Sequence, residues 1–132
     1  MKKPLSIVHI GLPKTGTTSL QKYVFPKICE KLNMLYNPKE ISSICRNGLF
    51  YNNKEKNNLQ NVLKHNNVFV SKETLVNWNP CNWESAADKV LELFGKKSII
   101  IISLRNPYEY LNSIYIQKIL HEGNIIPPSD FF

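Results

Sequence analysis

Gly11-Leu12-Pro13-Lys14-Thr15-Gly16-Thr17-Thr18 separates an apolar run, Leu5 to Ile10, from a segment of helical spacing, and the fold is decided by how this stretch is read. Leu5-Ser6-Ile7-Val8-His9-Ile10 is rich in β-branched residues and does not alternate strictly. That pattern predicts a central strand of a parallel sheet, covered on both faces. Beyond the glycines, Leu20, Val24, Ile28 and Leu32 recur every fourth residue with Tyr23 beside them, which predicts a helix that Pro26 kinks or interrupts. Strand, glycine turn and helix therefore follow one another directly.

The two glycines keep the separation of a G-x-x-x-x-G-K-[ST] phosphate loop in the setting that loop requires. Glycine lets the backbone close around an anion, successive N–H groups converge on it, and the helix N-terminus adds partial positive charge. Two departures set the loop apart from an ATP or GTP hydrolase. Thr17 stands where the lysine would follow the second glycine, and Lys14 lies inside the loop instead. The other departure lies at the isoleucine-rich segment downstream, which ends in Arg105 where a hydrolase places an acid for magnesium, so no metal is expected. A tight turn capping a helix is the alternative use of these residues.

Working outward, Ser98 to Leu104 contains four consecutive isoleucines and predicts a second buried strand, with Asn106 as N-cap and Pro107 at the first position of the next helix. Val68 to Ser71 predicts a short strand. Trp83 to Phe94 predicts an amphipathic helix with Ala87, Val90, Leu91 and Phe94 on one face, ending before Gly95. The asparagine-rich stretch from Asn37 to Asn67 shows one helical pattern, Lys54 to His65, carried by Leu59, Val62 and Leu63. Strands alternating with helices make this an α/β chain whose mostly parallel sheet is covered on both faces. One domain over residues 1–132 is expected.

The composition agrees and narrows the partners. Hydrophobic residues make up 42% of the 132, enough for a packed core. Seventeen basic against ten acidic residues give a net charge of +7, which favours anionic ligands. The lysines are scattered rather than clustered, so the charge gives no reason to expect nucleic acid as the partner. Cys29, Cys45 and Cys81 are too far apart for a zinc knuckle and read as free thiols. The N-terminal apolar stretch is too short for a signal sequence or anchor, which predicts a cytoplasmic protein with no membrane partner. His9 reads as a packed core histidine, while His65 and His121 lie in polar surroundings. The tail from Ile125 to Phe132 is apolar and marked by prolines, as if the sheet were incomplete at the C-terminus.

Gly11 to Gln21, GLPKTGTTSLQ, resembles the 5′-phosphosulfate loop of the sulfotransferases that use 3′-phosphoadenosine 5′-phosphosulfate (PAPS). Arg105-Asn106-Pro107, with Ser113 eight residues after the arginine and Tyr115 beyond, resembles the same family's second motif. The resemblance implies a three-layer sandwich like that of the phosphate-loop nucleotide hydrolases. It implies sulfonate transfer from PAPS to a hydroxyl or amine of a carbohydrate or small molecule, leaving 3′,5′-adenosine bisphosphate. At the matching positions, Lys14 would stabilise charge on the leaving group, and Thr15, Gly16, Thr17, Thr18 and Ser19 would surround the 5′-phosphate. Arg105 and Ser113 would bind the 3′-phosphate. Related enzymes place a general base just after the second strand. Ser71-Lys72-Glu73-Thr74 occupies that place, which nominates Glu73, with Lys72 second.

The asparagine-rich middle lies outside the resemblance. The family also continues past its second motif, so the chain reads as an N-terminal, PAPS-binding part. Two other readings stay open. A phosphate-loop nucleotide kinase is supported by Gly11, Gly16 and Thr18 and opposed by Thr17. A truncated nucleotide-binding remnant would keep the loop without an acceptor pocket.

Overall fold

The apolar run at the N-terminus becomes β1 (Ser6–Gly11), an inner strand paired in parallel with β3 (Val68–Ser71) on one side and β4 (Ile99–Ser103) on the other. The computed structural model describes residues 4–12, 14–76, 79–123 and 127–131. A two-residue strand, β2 (Leu35–Tyr36), pairs with β3, giving an all-parallel sheet in the order β2-β3-β1-β4. Parallel neighbours need crossovers, and each one here is helical. Between β1 and β2 run α1 (Thr17–Ser19), a π-helical turn (Leu20–Val24) and α2 (Phe25–Lys31). Next, α3 (Lys39–Arg46) and α4 (Asn53–His65) lead to β3, and α5 (Trp83–Phe94) leads to β4. The chain then enters α6 (Pro107–Glu122) and α7 (Pro128–Phe131).

Period-two alternation assigns the strand residues to two cores. Val8, Val68 and Val70 face α3, α4 and α5, where they pack with Ile41, Ile44, Leu59, Val90 and Leu93. Phe69 faces the other way with Ile7, against Phe25 and Cys29 of α2. Helices thus cover both faces of the sheet, the three-layer α/β arrangement expected from the sequence.

Several details differ from the sequence-based expectations. The stripe predicted after the loop is largely exposed: Val24, Ile28 and Leu32 face solvent, whereas Leu20 packs with Phe25 and Cys29. A π turn explains the shift, because its i to i+5 pattern inserts a residue and rotates the inward face from Val24 to Phe25. Pro26 then falls in the first turn of α2, where a missing N–H costs nothing. On α5 the inward residues are Ala86, Val90 and Leu93, whereas Ala87 and Leu91 are exposed. The isoleucine strand forms but is not buried, with Ile99 to Ile102 each 40–58% exposed. β4 is an edge strand, and among the described residues no further strand pairs with its outer side. All three cysteines are free thiols, as expected. Among the described residues no helix is long and apolar enough to cross a membrane. Pro13, Asn124 and residues 125, 126 and 132 of the apolar tail lie outside the described residues, as does the side chain of His121.

Candidate functional site

β1, β3 and β4 all end on the same side of the sheet, the side where open α/β folds place their ligands. Past the end of β1 the backbone turns through two left-handed residues, Lys14 at φ 64° and Gly16 at φ 75°. Glycine suits the second; a lysine held in that region marks a backbone fixed by its surroundings. Thr15 supplies part of that restraint, donating both its N–H (3.3 Å) and its hydroxyl (2.6 Å) to the Leu12 carbonyl. Gly11 is required for a different reason: a Cβ there would collide with the Thr17 side chain and press on the His9 ring.

Thr17 is 2% exposed, and its hydroxyl donates to Glu73 Oε1 at 2.7 Å. Glu73 begins a short 3₁₀ turn just after β3, so this bond joins the segment after the glycine turn to the end of the neighbouring strand. On the other side, Arg105 leaves β4 and donates from Nη1 to the Lys14 carbonyl at 3.0 Å, while its Nε–H donates to Glu109 at 3.2 Å. Asn106 caps α6 by accepting the Tyr108 N–H, with Pro107 at the start of the helix, as the sequence indicates. The capped helix runs from the end of β4, and Ser113 and Gln117, one turn apart on it, complete a shared hollow.

This hollow has a volume of about 390 Å³ and is lined by Lys14, Gly16, Thr17, Thr18, Glu73, Arg105, Ser113 and Gln117. Six expected cofactor positions, Lys14, Gly16, Thr17, Thr18, Arg105 and Ser113, therefore converge with the expected base Glu73. Two others, Thr15 and Ser19, are not among the lining residues. Thr15 instead closes the loop, and Ser19 is exposed on α1. The Thr17 hydroxyl, expected to face a phosphate, is turned toward Glu73. Lys72, the second choice of base, does not line the hollow.

Gln117 was not anticipated, although it follows Ser113 at the helical interval of four and could have been read from that spacing. Also unanticipated was a polar cluster beneath the loop. His9 is buried as predicted but is not in purely apolar packing: its Nδ1 and Nε2 each lie 2.7 Å from a serine hydroxyl, those of Ser71 and Ser103. Burial lowers the His9 pKa from its ordinary value.

Chemically, the hollow offers two cations, hydroxyls, a carboxamide and a glycine turn that can meet an anion, beside one carboxylate, Glu73, whose Oε1 accepts from Thr17. Hollows of similar size elsewhere, about 340 and 420 Å³, are not lined by the glycine loop or Arg105. Comparison with family models, curated proteins and solved structures finds no match to this chain, so its function must be argued from this arrangement.

Proposed function

We propose that the chain binds PAPS in this hollow and serves as a sulfotransferase toward a hydroxyl or amine acceptor, a carbohydrate or another small molecule. One observation carries the reading: Arg105, from the second motif, reaches the Lys14 carbonyl of the first, so the two halves of the resemblance line one cavity. A 3′,5′-bisphosphorylated nucleotide has two separated anions, and this cavity has cations from two separate motifs to meet them.

The residues present fit that ligand. Backbone N–H groups from Gly16 to Thr18 and the Lys14 ammonium would hold the 5′ end, with Gly16 leaving open space where a side chain would stand. The guanidinium of Arg105, the Ser113 hydroxyl and the Gln117 amide would hold the 3′-phosphate. PAPS, when bound, supplies an activated sulfonate and a bisphosphate leaving group. Lys14 offsets the negative charge that grows on the leaving oxygen. Glu73 accepts the proton of the acceptor, and the bond from Thr17 to Oε1 orients the carboxylate so that Oε2 receives it. Three free thiols favour a reducing compartment, in keeping with a cytoplasmic enzyme.

Calorimetry with 3′,5′-adenosine bisphosphate, AMP and magnesium ATP tests the reading. A preference of tenfold or more for the bisphosphate over AMP is expected. Equal affinities for the two would reject it, and magnesium-dependent ATP binding would favour the kinase alternative. Bisphosphate binding with no sulfonate transferred to any acceptor would identify a nucleotide-binding remnant.

A further inference from the structure

Beneath the hollow, one imidazole spans three strands. His9 is 1% exposed at the centre of β1, with its ring edge-on to Phe25 at 4.8 Å between centroids. Its Nδ1 meets Ser71, the last residue of β3, and its Nε2 meets Ser103, the last residue of β4. Gln21, from the π-helical turn, donates to the same Ser71 hydroxyl at 3.1 Å. Each serine stands two residues before a site residue, Ser71 before Glu73 and Ser103 before Arg105. A neutral imidazole donates at one nitrogen and accepts at the other, and a hydroxyl can do either, so both bonds form in either tautomer.

We propose that His9 is a positioning residue, a two-armed tie that sets the strand end carrying Arg105 relative to the one carrying Glu73. The inference rests on the nucleotide reading of the hollow. β4 gains from such a tie: among the described residues its ladder bonds run only to β1, and its isoleucines are half-exposed, so packing restrains it weakly. The bond to Ser103 joins it to the buried core within two residues of Arg105. The bond to Ser71 joins the same ring to the fully buried β3. Ser6 to His9 and Val68 to Ser71 are in register, so the ring lies directly across from Ser71 and reaches Ser103 on the diagonal.

Ser103→Ala and His9→Phe remove the tie in two ways, and His9→Gln restores an amide able to reach Ser103. Affinities for the bisphosphate and for AMP are measured on all four proteins, together with amide hydrogen exchange at residues 103–105 and in α4. Loss of the Ser103 arm should reduce the preference for bisphosphate over AMP roughly five- to tenfold, the worth of one hydrogen bond, with AMP affinity unchanged. Exchange at 103–105 should accelerate while α4 is unaffected, and His9→Gln should recover part of both effects. Equal weakening of both nucleotides, or no change in the preference, would overturn the proposal, because a residue that only stabilises the core cannot select for the 3′-phosphate. If the unaltered protein shows no preference, the nucleotide reading fails by itself. Exchange then decides the tie: acceleration confined to 103–105 sustains it, and unchanged exchange in Ser103→Ala overturns it.

Discussion

Arg105 lines the hollow and has its Nη1 on the Lys14 carbonyl and its Nε on Glu109; the proposed function assigns its remaining N–H groups to a phosphate. Arg105→Ala should weaken 3′,5′-adenosine bisphosphate by about 1.5–3 kcal/mol, the range for a hydrogen bond to a charged group, and leave AMP nearly untouched. Arg105→Lys should restore little, since an ammonium cannot present two parallel donors. Titration calorimetry of the two variants checks both statements, and an AMP loss as large as the bisphosphate loss would remove Arg105 from 3′-phosphate recognition. On the proposed sulfotransferase reading Lys14 acts on the leaving group, so Lys14→Ala should reduce turnover far more than nucleotide affinity. His9 adds a pH dependence whose sign follows from burial. Its folded pKa lies below the ordinary 6.5, so as the pH falls the unfolded chain takes up this proton first. The stability contributed by the neutral ring is complete above about pH 6.5 and drains away as the pH drops toward the lower folded value. Urea midpoints at pH 7.5 and 5.5 should therefore fall more for the unaltered protein than for His9→Phe; equal falls would show that the ring is not held neutral.

Elements were legible wherever a local pattern and its tertiary setting agreed. β1 and β3 are short apolar runs buried on both faces, and α5 begins and ends at the residues its periodicity and Gly95 mark. β2 left no such trace, because two residues pairing through backbone alone make no apolar run. α3 hid in polar sequence, anchored by Ile41 and Ile44. The π turn defeated the helical template, since a count of four residues cannot reveal that the chain winds by five between Leu20 and Phe25. Four isoleucines announced a strand but not its place in the sheet, which depends on what lies beside it. The residues proposed for the site could be named in advance because both motifs are local; that several of them line one hollow, and that His9 meets two serines beneath it, depended on strand order. Burial therefore predicts mutational cost better than hydrophobicity does. Leu59→Ala, at a fully buried position on α4, should cost about 2–5 kcal/mol by urea unfolding. Ile102→Ala, at 58% exposure on β4, should cost less than about 1 kcal/mol. Similar losses at the two positions would mean that β4 is covered after all.

At the scale of the whole molecule, the charge of +7 and the isoleucine edge act in opposite directions. An edge strand with free N–H and C=O groups and apolar side chains is a template for another copy of itself. Lys96 and Lys97 precede β4 and Arg105 follows it, so two copies approaching edge to edge also bring like charges together. In dilute buffer that repulsion reaches across the gap, with a Debye length of about 30 Å at 0.01 M salt; at 1 M it shrinks to about 3 Å, less than the spacing of two strands. Light scattering should accordingly show monomer at low salt and growing self-association as salt rises, the reverse of an assembly held by ion pairs. Ile101→Lys places a charge on the edge itself, and at 40% exposure its ammonium can reach water, so this variant should stay monomeric at high salt with little loss of fold. If Lys14 and Arg105 hold the bisphosphate nucleotide as proposed, the same screening should weaken its binding, because that attraction is also Coulombic. Scattering that ignores salt, or an Ile101→Lys chain that associates as readily as the unaltered one, would show that the edge is not the surface through which copies meet.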